Sequence, residues 1–234
     1  DVFVGNDSME NSLFVNTGEI PIRFENKGTT SGIAANGDGS MQATMGIGIA
    51  DVNGNGRPDV FTTNFSSDTN TLHTNDASGY FDDRTKRYGL GLASRTLLGW
   101  TCGFHDFDLD GDEDLFIVNG HVYPQATKET MDSSRKQPPL LYERVGDRFK
   151  QVSQENVYRD RAAVFGDIDT DGDIDVIIAE RHGDVRVLRN NANPASFLTI
   201  TLRGNRLNQK ALGSMIRITF TDGSVASRWI TDGS

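Results

Sequence analysis

Three nine-residue segments of the chain carry oxygen side chains at alternate positions. They are Asp51-Val-Asn-Gly-Asn-Gly-Arg-Pro-Asp59, Asp106-Phe-Asp-Leu-Asp-Gly-Asp-Glu-Asp114 and Asp167-Ile-Asp-Thr-Asp-Gly-Asp-Ile-Asp175, named below the 51, 106 and 167 loops. Positions 1, 3 and 5 are Asp or Asn, position 6 is Gly, and position 9 is Asp. Alternate residues of a tight turn point inward, and the glycine accepts a positive φ. The pattern therefore predicts a site for a hard cation with oxygen ligands.

The donor set favours calcium among such cations. Many flexible oxygen ligands suit coordination by six to eight atoms, and no Cys or His joins the clusters to suggest zinc. Oxygens at positions 1, 3, 5 and 9 and the carbonyl of position 7 are the expected ligands. The candidate residues are Asp51, Asn53, Asn55, Arg57 and Asp59; Asp106, Asp108, Asp110, Asp112 and Asp114; and Asp167, Asp169, Asp171, Asp173 and Asp175.

Two other kinds of structure share features with these loops. An EF-hand opens in the same way but needs a Glu at position 12, where this chain has Thr62, Ile117 and Ile178, so it is excluded. Turns rich in Asp, Asn and Gly without any cation stay open, above all in the 51 loop with its two asparagines. Five aspartates within nine residues repel one another without a cation. We therefore expect two calcium sites and a third, weaker one in the 51 loop.

The charge of the chain is concentrated in these loops. The 33 acids include 25 Asp, 12 of them in the three loops, and the remaining acids nearly balance the 23 Lys and Arg. A formal charge of −10 and no basic stripe argue against a nucleic-acid partner. No apolar run reaches the roughly 20 residues of a membrane span, so no membrane insertion is expected. The lone Cys102 excludes an internal disulfide.

The loops also mark a sequence repeat, with starts 55 and 61 residues apart. An apolar run follows each loop at 60–61, 115–118 and 176–179, and reads as a buried strand. Each repeat has room for about four short strands, which predicts an all-β fold of β-propeller blades. The expected units are about 1–50, 51–105, 106–166 and 167–195, followed by a small β module at 196–234.

Three segments add detail to this organisation. Residues 1–16 match the template from position 9 onward, so we expect a fragment of a longer chain, cut inside a repeat. Residues 124–139 are expected to form a long surface loop. In the C-terminal module, 197–202, 215–220 and 225–230 alternate in polarity as three strands.

The loop motif followed by an apolar strand resembles the FG-GAP/VCBS repeats of integrin-α-like propellers. Segments 45–51, 114–124, 198–204 and 211–213 are similar to the subfamily that ends in an ASPIC/UnbV domain, the cartilage acidic protein-like family, although 207–209 departs from its pattern. This resemblance implies a calcium-dependent, seven-bladed propeller that is exported from the cell. It carries ligand roles onto positions 1, 3, 5 and 9 of the 106 and 167 loops and implies no established chemistry.

No residue pattern anchors nucleophilic catalysis. The four histidines are scattered, with no nucleophile elbow and no Walker or Rossmann glycine pattern. His121 is the best candidate for a specific role, although a role in a turn is favoured, and Trp100 and Trp229 are expected in the core rather than stacked on a sugar. We therefore expect a non-catalytic extracellular or periplasmic scaffold that binds a protein or carbohydrate ligand. The alternative is an accessory or enzymatic protein of secondary metabolism that uses a central pocket of the propeller.

Overall fold

The computed structural model describes residues 1–152, 156–192 and 197–231. In this part of the chain the fold consists of short strands and almost no helix, which confirms the all-β prediction. The strands are β1 Val2–Val4, β2 Ser12–Asn16, β3 Phe24–Asn26, β4 Thr44–Ala50, β5 Asp59–Asn64, β6 Thr71–Asn75, β7 Phe81–Asp83, β8 Gly99–His105, β9 Asp114–Asn119, β10 Leu140–Val145, β11 Arg148–Val152, β12 Asp160–Gly166, β13 Asp175–Glu180, β14 Val185–Leu188, β15 Met215–Thr219 and β16 Val225–Trp229. A 3-10 turn covers Leu92–Ser94, and a single helical turn, α1, covers Lys128–Met131.

The strands form consecutive antiparallel sheets in chain order. Sheet 1 is β1–β2–β3, sheet 2 is β4–β5–β6–β7, sheet 3 is β8–β9–β10–β11 and sheet 4 is β12–β13–β14, while β15 and β16 form a hairpin. Each acidic loop joins the first strand of a sheet to its second. A unit counted from a loop, such as 51–105, therefore contains the first strand of the next sheet. Strand β8 packs against both β4 and β12, so the first strands of neighbouring sheets lie side by side.

Strand β9 shows why the second strands carry apolar residues at consecutive positions. Successive side chains of a strand point to opposite faces of its sheet. Leu115 and Ile117 enter the core between sheets 2 and 3, whereas Phe116 and Val118 enter the core between sheets 3 and 4. Strand β5 divides in the same way, with Phe61 in the core shared with sheet 3 and Val60 in the core shared with sheet 1. The predicted strands at 60–61, 115–118 and 176–179 are confirmed.

Gly46 allows the first strands to approach closely. A Cβ atom at this position would overlap the carbonyl oxygen of Trp100. The hydroxyl of Thr63 connects the two strands, because it accepts from the Gly46 N–H at 2.8 Å and donates to the Trp100 carbonyl at 2.7 Å. Sheets 2 and 3 therefore lie in direct backbone proximity at this point.

Two local expectations need correction. Residues 197–202 form no strand, although their polarity alternates. Strands β15 and β16 pair only with each other, and in the described part of the chain no strand edge pairs with residues 197–202. The 124–139 segment is not wholly a surface loop. Gln137 is buried, and its Oε1 accepts from the Leu98 N–H at 2.9 Å while its Nε2 donates to Ser133 Oγ at 2.9 Å. These bonds fasten the segment to the start of β8 from within.

Candidate metal loops

The three loops share one hydrogen-bonded frame. The carboxylate at position 1 accepts the N–H of the glycine at position 6. The donor–acceptor distances are 2.8 Å for Gly56 to Asp51, 3.0 Å for Gly111 to Asp106 and 3.1 Å for Gly172 to Asp167. The glycines have φ values of +81°, +103° and +100°, a region that favours glycine. Each loop is therefore a closed turn whose backbone folds back on its first residue.

The aspartate at position 9 joins each loop to its sheet. Asp59, Asp114 and Asp175 are almost fully buried at the first residue of β5, β9 and β13. One carboxylate oxygen accepts a backbone N–H of the loop: that of position 3 in the 51 loop, at 3.2 Å, and that of position 2 in the 106 and 167 loops, at 3.2 and 3.0 Å. The other oxygen accepts an N–H on or just after the third strand, from Asn75 at 2.7 Å, Arg144 at 2.7 Å and Asn190 at 2.8 Å. This side chain thus braces the loop against two strands.

Two loops bring three carboxylates together. Oxygens of Asp106, Asp108 and Asp110 lie within 4.8 Å of one another, and so do oxygens of Asp167, Asp169 and Asp175. These groups represent positions 1, 3 and 5 in the 106 loop and positions 1, 3 and 9 in the 167 loop. The spacing allows one cation to contact several oxygens at once, as calcium requires.

Buried oxygens without partners test whether a cation fits these loops. Oδ1 of Asp106, Oδ1 of Asp112 and both carboxylate oxygens of Asp173 are buried and lack a hydrogen-bond partner among the described residues. Burying an unpaired charged oxygen is costly, so such atoms call for a proton or a cation. The residues present therefore fit a calcium ion in the 106 and 167 loops.

The electrostatics of the 106 loop point the same way. Burial, followed by the neighbouring charge of Asp110, raises the pKa of Asp112 to about 6. Burial also raises the pKa of Asp114 to about 7, against the opposing hydrogen bond from Arg144. Raised pKa values in several adjacent carboxyls mean that these side chains resist full ionisation in the absence of a cation. A bound cation would remove this penalty.

The 51 loop differs in composition and brings no group of three acidic side chains together among the residues described. Asn53 and Asn55 replace aspartates, and the amide of Asn55 donates to the carbonyl of Asn75 at 2.7 Å. Burial still raises the pKa of Asp59 to about 7. The frame of the loop is preserved with less charge around it.

The remaining predicted positions lie outside the acidic groups. Asp112 and Asp173 at position 7, Asp114 in the 106 loop and Asp171 in the 167 loop do not join the groups of three. At position 7 of the 51 loop, Arg57 donates its backbone N–H to Asn55 Oδ1 at 2.8 Å. Arg189 contacts Asp169 at 2.5 Å and Asp171 at 3.4 Å, so this guanidinium offsets part of the charge of the 167 loop.

Two residues near the 106 loop were not predicted. Glu113 at position 8 forms an ion pair with Arg228 of β16, at 3.4 Å. Burial raises the pKa of the Glu113 carboxyl to about 7, although the Arg228 guanidinium opposes this shift. The two residues are more than a hundred positions apart, so no local sequence pattern could have revealed the pair.

His121 lies at the opposite end of the sheets, just after β9. Its Nδ1 accepts the Tyr123 N–H at 3.1 Å, so the ring proton is assigned to Nε2, which donates to Ser66 Oγ at 3.0 Å. Burial, together with the Arg161 charge, lowers the pKa of His121. Trp100 is half-buried beside it and donates its indole N–H to Gly120 O at 2.9 Å.

The other candidates from the sequence lie in packed surroundings. The His105 ring packs at 4.7 Å from Phe165, and burial lowers the pKa of His105 to about 4. Cys102 lies in the core between sheets 2 and 3, where burial raises the pKa of its thiol to about 12. Trp229 is half-buried in β16.

Comparison with known proteins supports the repeat assignment. Residues 51–117 match a protein family described as FG-GAP-like repeat. The match begins at the 51 loop and ends within β9, so it covers two of the three loops and the strands between them. This finding supports the FG-GAP repeat family. No curated protein matches the chain. In the described part of the chain, no helix is long and apolar enough to cross a membrane.

Proposed function

We propose that the four sheets are blades of an integrin-α-like β-propeller whose acidic loops bind calcium. The protein serves as a non-catalytic scaffold in an extracellular or periplasmic setting, where it binds a protein or a carbohydrate. Residues 196–234 are proposed as the start of an ASPIC/UnbV-type β domain. The observation that carries the calcium assignment is the convergence of three carboxylates in each of two loops built on the same frame.

Calcium would supply charge neutralisation at the point where the first and second strands of a sheet meet. The ligands at positions 1, 3 and 5 would come from the loop, while position 9 already accepts backbone N–H groups from the loop and from the third strand. A cation held there would join the turn to two strands. Binding energy of this kind adds directly to the stability of the folded state.

The scaffold role rests on the character of the exposed surface. Residues 121–139 present Tyr123, with 44% of its surface exposed, on a segment that is fastened beneath by Gln137. An anchored loop with an exposed aromatic side chain suits recognition of a protein or a sugar.

The direct test is calorimetric titration of the chelator-treated chain with calcium, with magnesium as the matched control. We expect two tight calcium sites and a third weaker one, and much weaker binding of magnesium, which prefers strict octahedral geometry. Asp108→Asn should remove one tight site, whereas Asp184→Asn, at an exposed position outside the loops, should remove none. A folded chain that binds no calcium would refute the proposal.

The alternative of an enzymatic or accessory protein centres on His121. With Nδ1 occupied by the Tyr123 N–H, the imidazole donates to Ser66 and has no lone pair directed at that hydroxyl, which disfavours a Ser–His dyad. This geometry supports a structural role for His121. A turnover that is lost in His121→Ala while the fold is retained would reinstate the alternative.

A further inference from the structure

The C-terminal segment lies across all three acidic loops. The segment comprises residues 197–231 and is called the cap below. At each loop an apolar side chain of the cap lies against the glycine at position 6. A Cβ added to Gly56 would lie 4.0 Å from Met215, one on Gly111 would lie 3.5 Å from the ring of Phe220, and one on Gly172 would overlap the ring of Phe197.

A polar contact fixes the cap to the central loop. Arg228 of β16 donates from Nη2 to the Gly111 carbonyl at 3.0 Å, and its Nε lies 3.4 Å from the Glu113 carboxylate. The Glu113 side chain is only 14% exposed in this position. One residue of the cap therefore holds both the backbone and a side chain of the 106 loop.

Acidic groups face the cap across a shared cleft. A cleft of about 360 Å³ is lined on one side by Asp51, Asp110 and Asp112 and on the other by Phe220 and Arg228. A larger cleft of about 700 Å³ separates the cap from the 106 and 167 loops. Beside the docked cap, Asp51, Asp106 and Asp112 are only partly exposed and the Glu113 side chain is 14% exposed, so the hydration of these four carboxylates is restricted.

This arrangement couples the cap to the charge state of the loops. Placing phenylalanine and methionine side chains beside these carboxylates is unfavourable, because only Glu113 gains a positive partner, Arg228, while Asp51, Asp106 and Asp112 lose hydration without an ion pair in the described part of the chain. A cation in the loop supplies the partner and fixes the turn on which the apolar side chain rests. The cost of docking therefore falls when the loops are loaded.

We propose that the cap docks on calcium-loaded loops and is released when calcium is removed. The inference rests on the calcium binding proposed above. Because coupling between two events is reciprocal, the docked cap also raises the calcium affinity of the loops. With calcium bound, the cap covers the glycines at position 6 of the three loops. When calcium is removed, these glycines become exposed to solvent.

Hydrogen exchange on the whole chain tests this coupling. The amides of β15 and β16 report on the cap, and the amides of β9 serve as an internal reference for the sheets. In calcium we expect slow exchange in both. In chelator we expect at least tenfold faster exchange in β15 and β16, with a smaller change in β9. Calorimetry under the same conditions measures calcium binding separately.

Two pairs of variants test the contacts. Phe220→Ala removes the side chain over Gly111, and Leu207→Ala is its control, since Leu207 is 95% exposed in the same segment. Arg228→Gln removes the contact with the 106 loop, and Arg217→Gln alters an exposed position on the same hairpin. We expect about fivefold weaker calcium binding in the first member of each pair and no change in the control.

The outcomes separate the two proposals. Calcium binding without any change in exchange of β15 and β16, or without an effect of Phe220→Ala and Arg228→Gln on affinity, would overturn the coupling and leave the calcium loops intact. Absence of calcium binding in the folded chain would overturn both. Faster cap exchange in chelator, together with weaker binding in both variants, would support the coupling.

Discussion

The side-chain amide of Asn55 donates a hydrogen bond to the carbonyl oxygen of Asn75, with an N–O distance of 2.7 Å. An aspartate at position 55 has no proton to donate and would place an oxygen against that carbonyl. The departure of the 51 loop from the acidic pattern therefore has a structural reason at position 5. Asn53, whose Oδ1 accepts only the Asn55 N–H at 3.1 Å among the bonds found in this loop, carries no such constraint.

We predict that Asn53→Asp strengthens the weak third calcium site by about tenfold. The new carboxylate can still accept the Asn55 N–H, and each added charge increases the affinity of an oxygen site for calcium. Asn16→Asp is the matched control, because Asn16 makes the same kind of turn bond, to the Gly18 N–H at 2.9 Å, outside the loops. Calorimetry checks both. Equal affinities in the variant and the control would contradict the role given to position 3.

Substitutions of Asp108 and Asp114 should differ in their effect on stability in the absence of calcium. Asp114 is buried and accepts the N–H groups of Phe107 and Arg144, so Asp114→Asn turns an amide donor toward one of these N–H groups. We expect it to lower the free energy of unfolding by about 1–3 kcal/mol even in chelator. Asp108 is exposed, and Asp108→Asn should lose calcium with little change in chelator.

Urea unfolding in chelator at pH 8, above the pKa of Asp114, measures the difference between these variants. Equal stability of the two variants under these conditions would show that position 9 acts only as a ligand. Calorimetry should find weakened calcium binding in both.

Close approach of the first strands predicts a large effect of a single methyl group. Gly46→Ala places a Cβ against the Trp100 carbonyl, and relief of the overlap should cost about 1–3 kcal/mol of stability. Gly166→Ala is the matched control, since no atom lies within 4 Å of a Cβ at that strand glycine, and it should be neutral or slightly stabilising. Thermal unfolding in calcium compares the two. Similar midpoints would argue against tight contact between sheets 2 and 3 at this point.

His73 predicts a pH dependence of stability. Its Nε2 donates to the Ala35 carbonyl at 2.9 Å, while Nδ1 is buried without a partner in the described part of the chain. Burial lowers the pKa of His73 below its ordinary 6.5, although the charges of Asp83 and Asp82 oppose the shift. As the pH falls below about 6.5, His73 becomes protonated in the unfolded chain but stays neutral in the folded chain. Folded stability is therefore lost in that range.

The measurement is the difference in unfolding free energy between the native chain and His73→Gln from pH 8 to pH 5. We expect the native chain to lose stability relative to the variant by at most about 1.4 kcal/mol per pH unit below pH 6.5. Leu207→Ala, at a position that is 95% exposed, retains His73 and should lose stability in parallel with the native chain. Parallel curves for His73→Gln and the native chain would contradict the burial argument.

Local patterns in the sequence predicted the features that depend on neighbouring residues. The loops, the buried second strands and the all-β class follow from spacing and alternation over fewer than a dozen positions. Alternation failed at 197–202, because a strand also needs a partner edge, and polarity says nothing about whether one is free.

Contacts between distant residues were beyond prediction. Arg228 and Gly111 are separated by 117 positions, and nothing in either segment indicates the other. The anchoring of Gln137 to Leu98 is a similar case, since a polar residue in a polar segment predicts solvent exposure. Both contacts depend on how the sheets pack against one another, and a short stretch of sequence does not specify that packing.

The opposite facing of Leu115 and Phe116 in β9 has a consequence for unfolding. Because one strand contributes to the cores on both of its sides, detachment of sheet 3 would expose two apolar interfaces at once. Local opening of sheet 3 therefore carries the energetic penalty of both interfaces, and its stability depends on both neighbouring sheets.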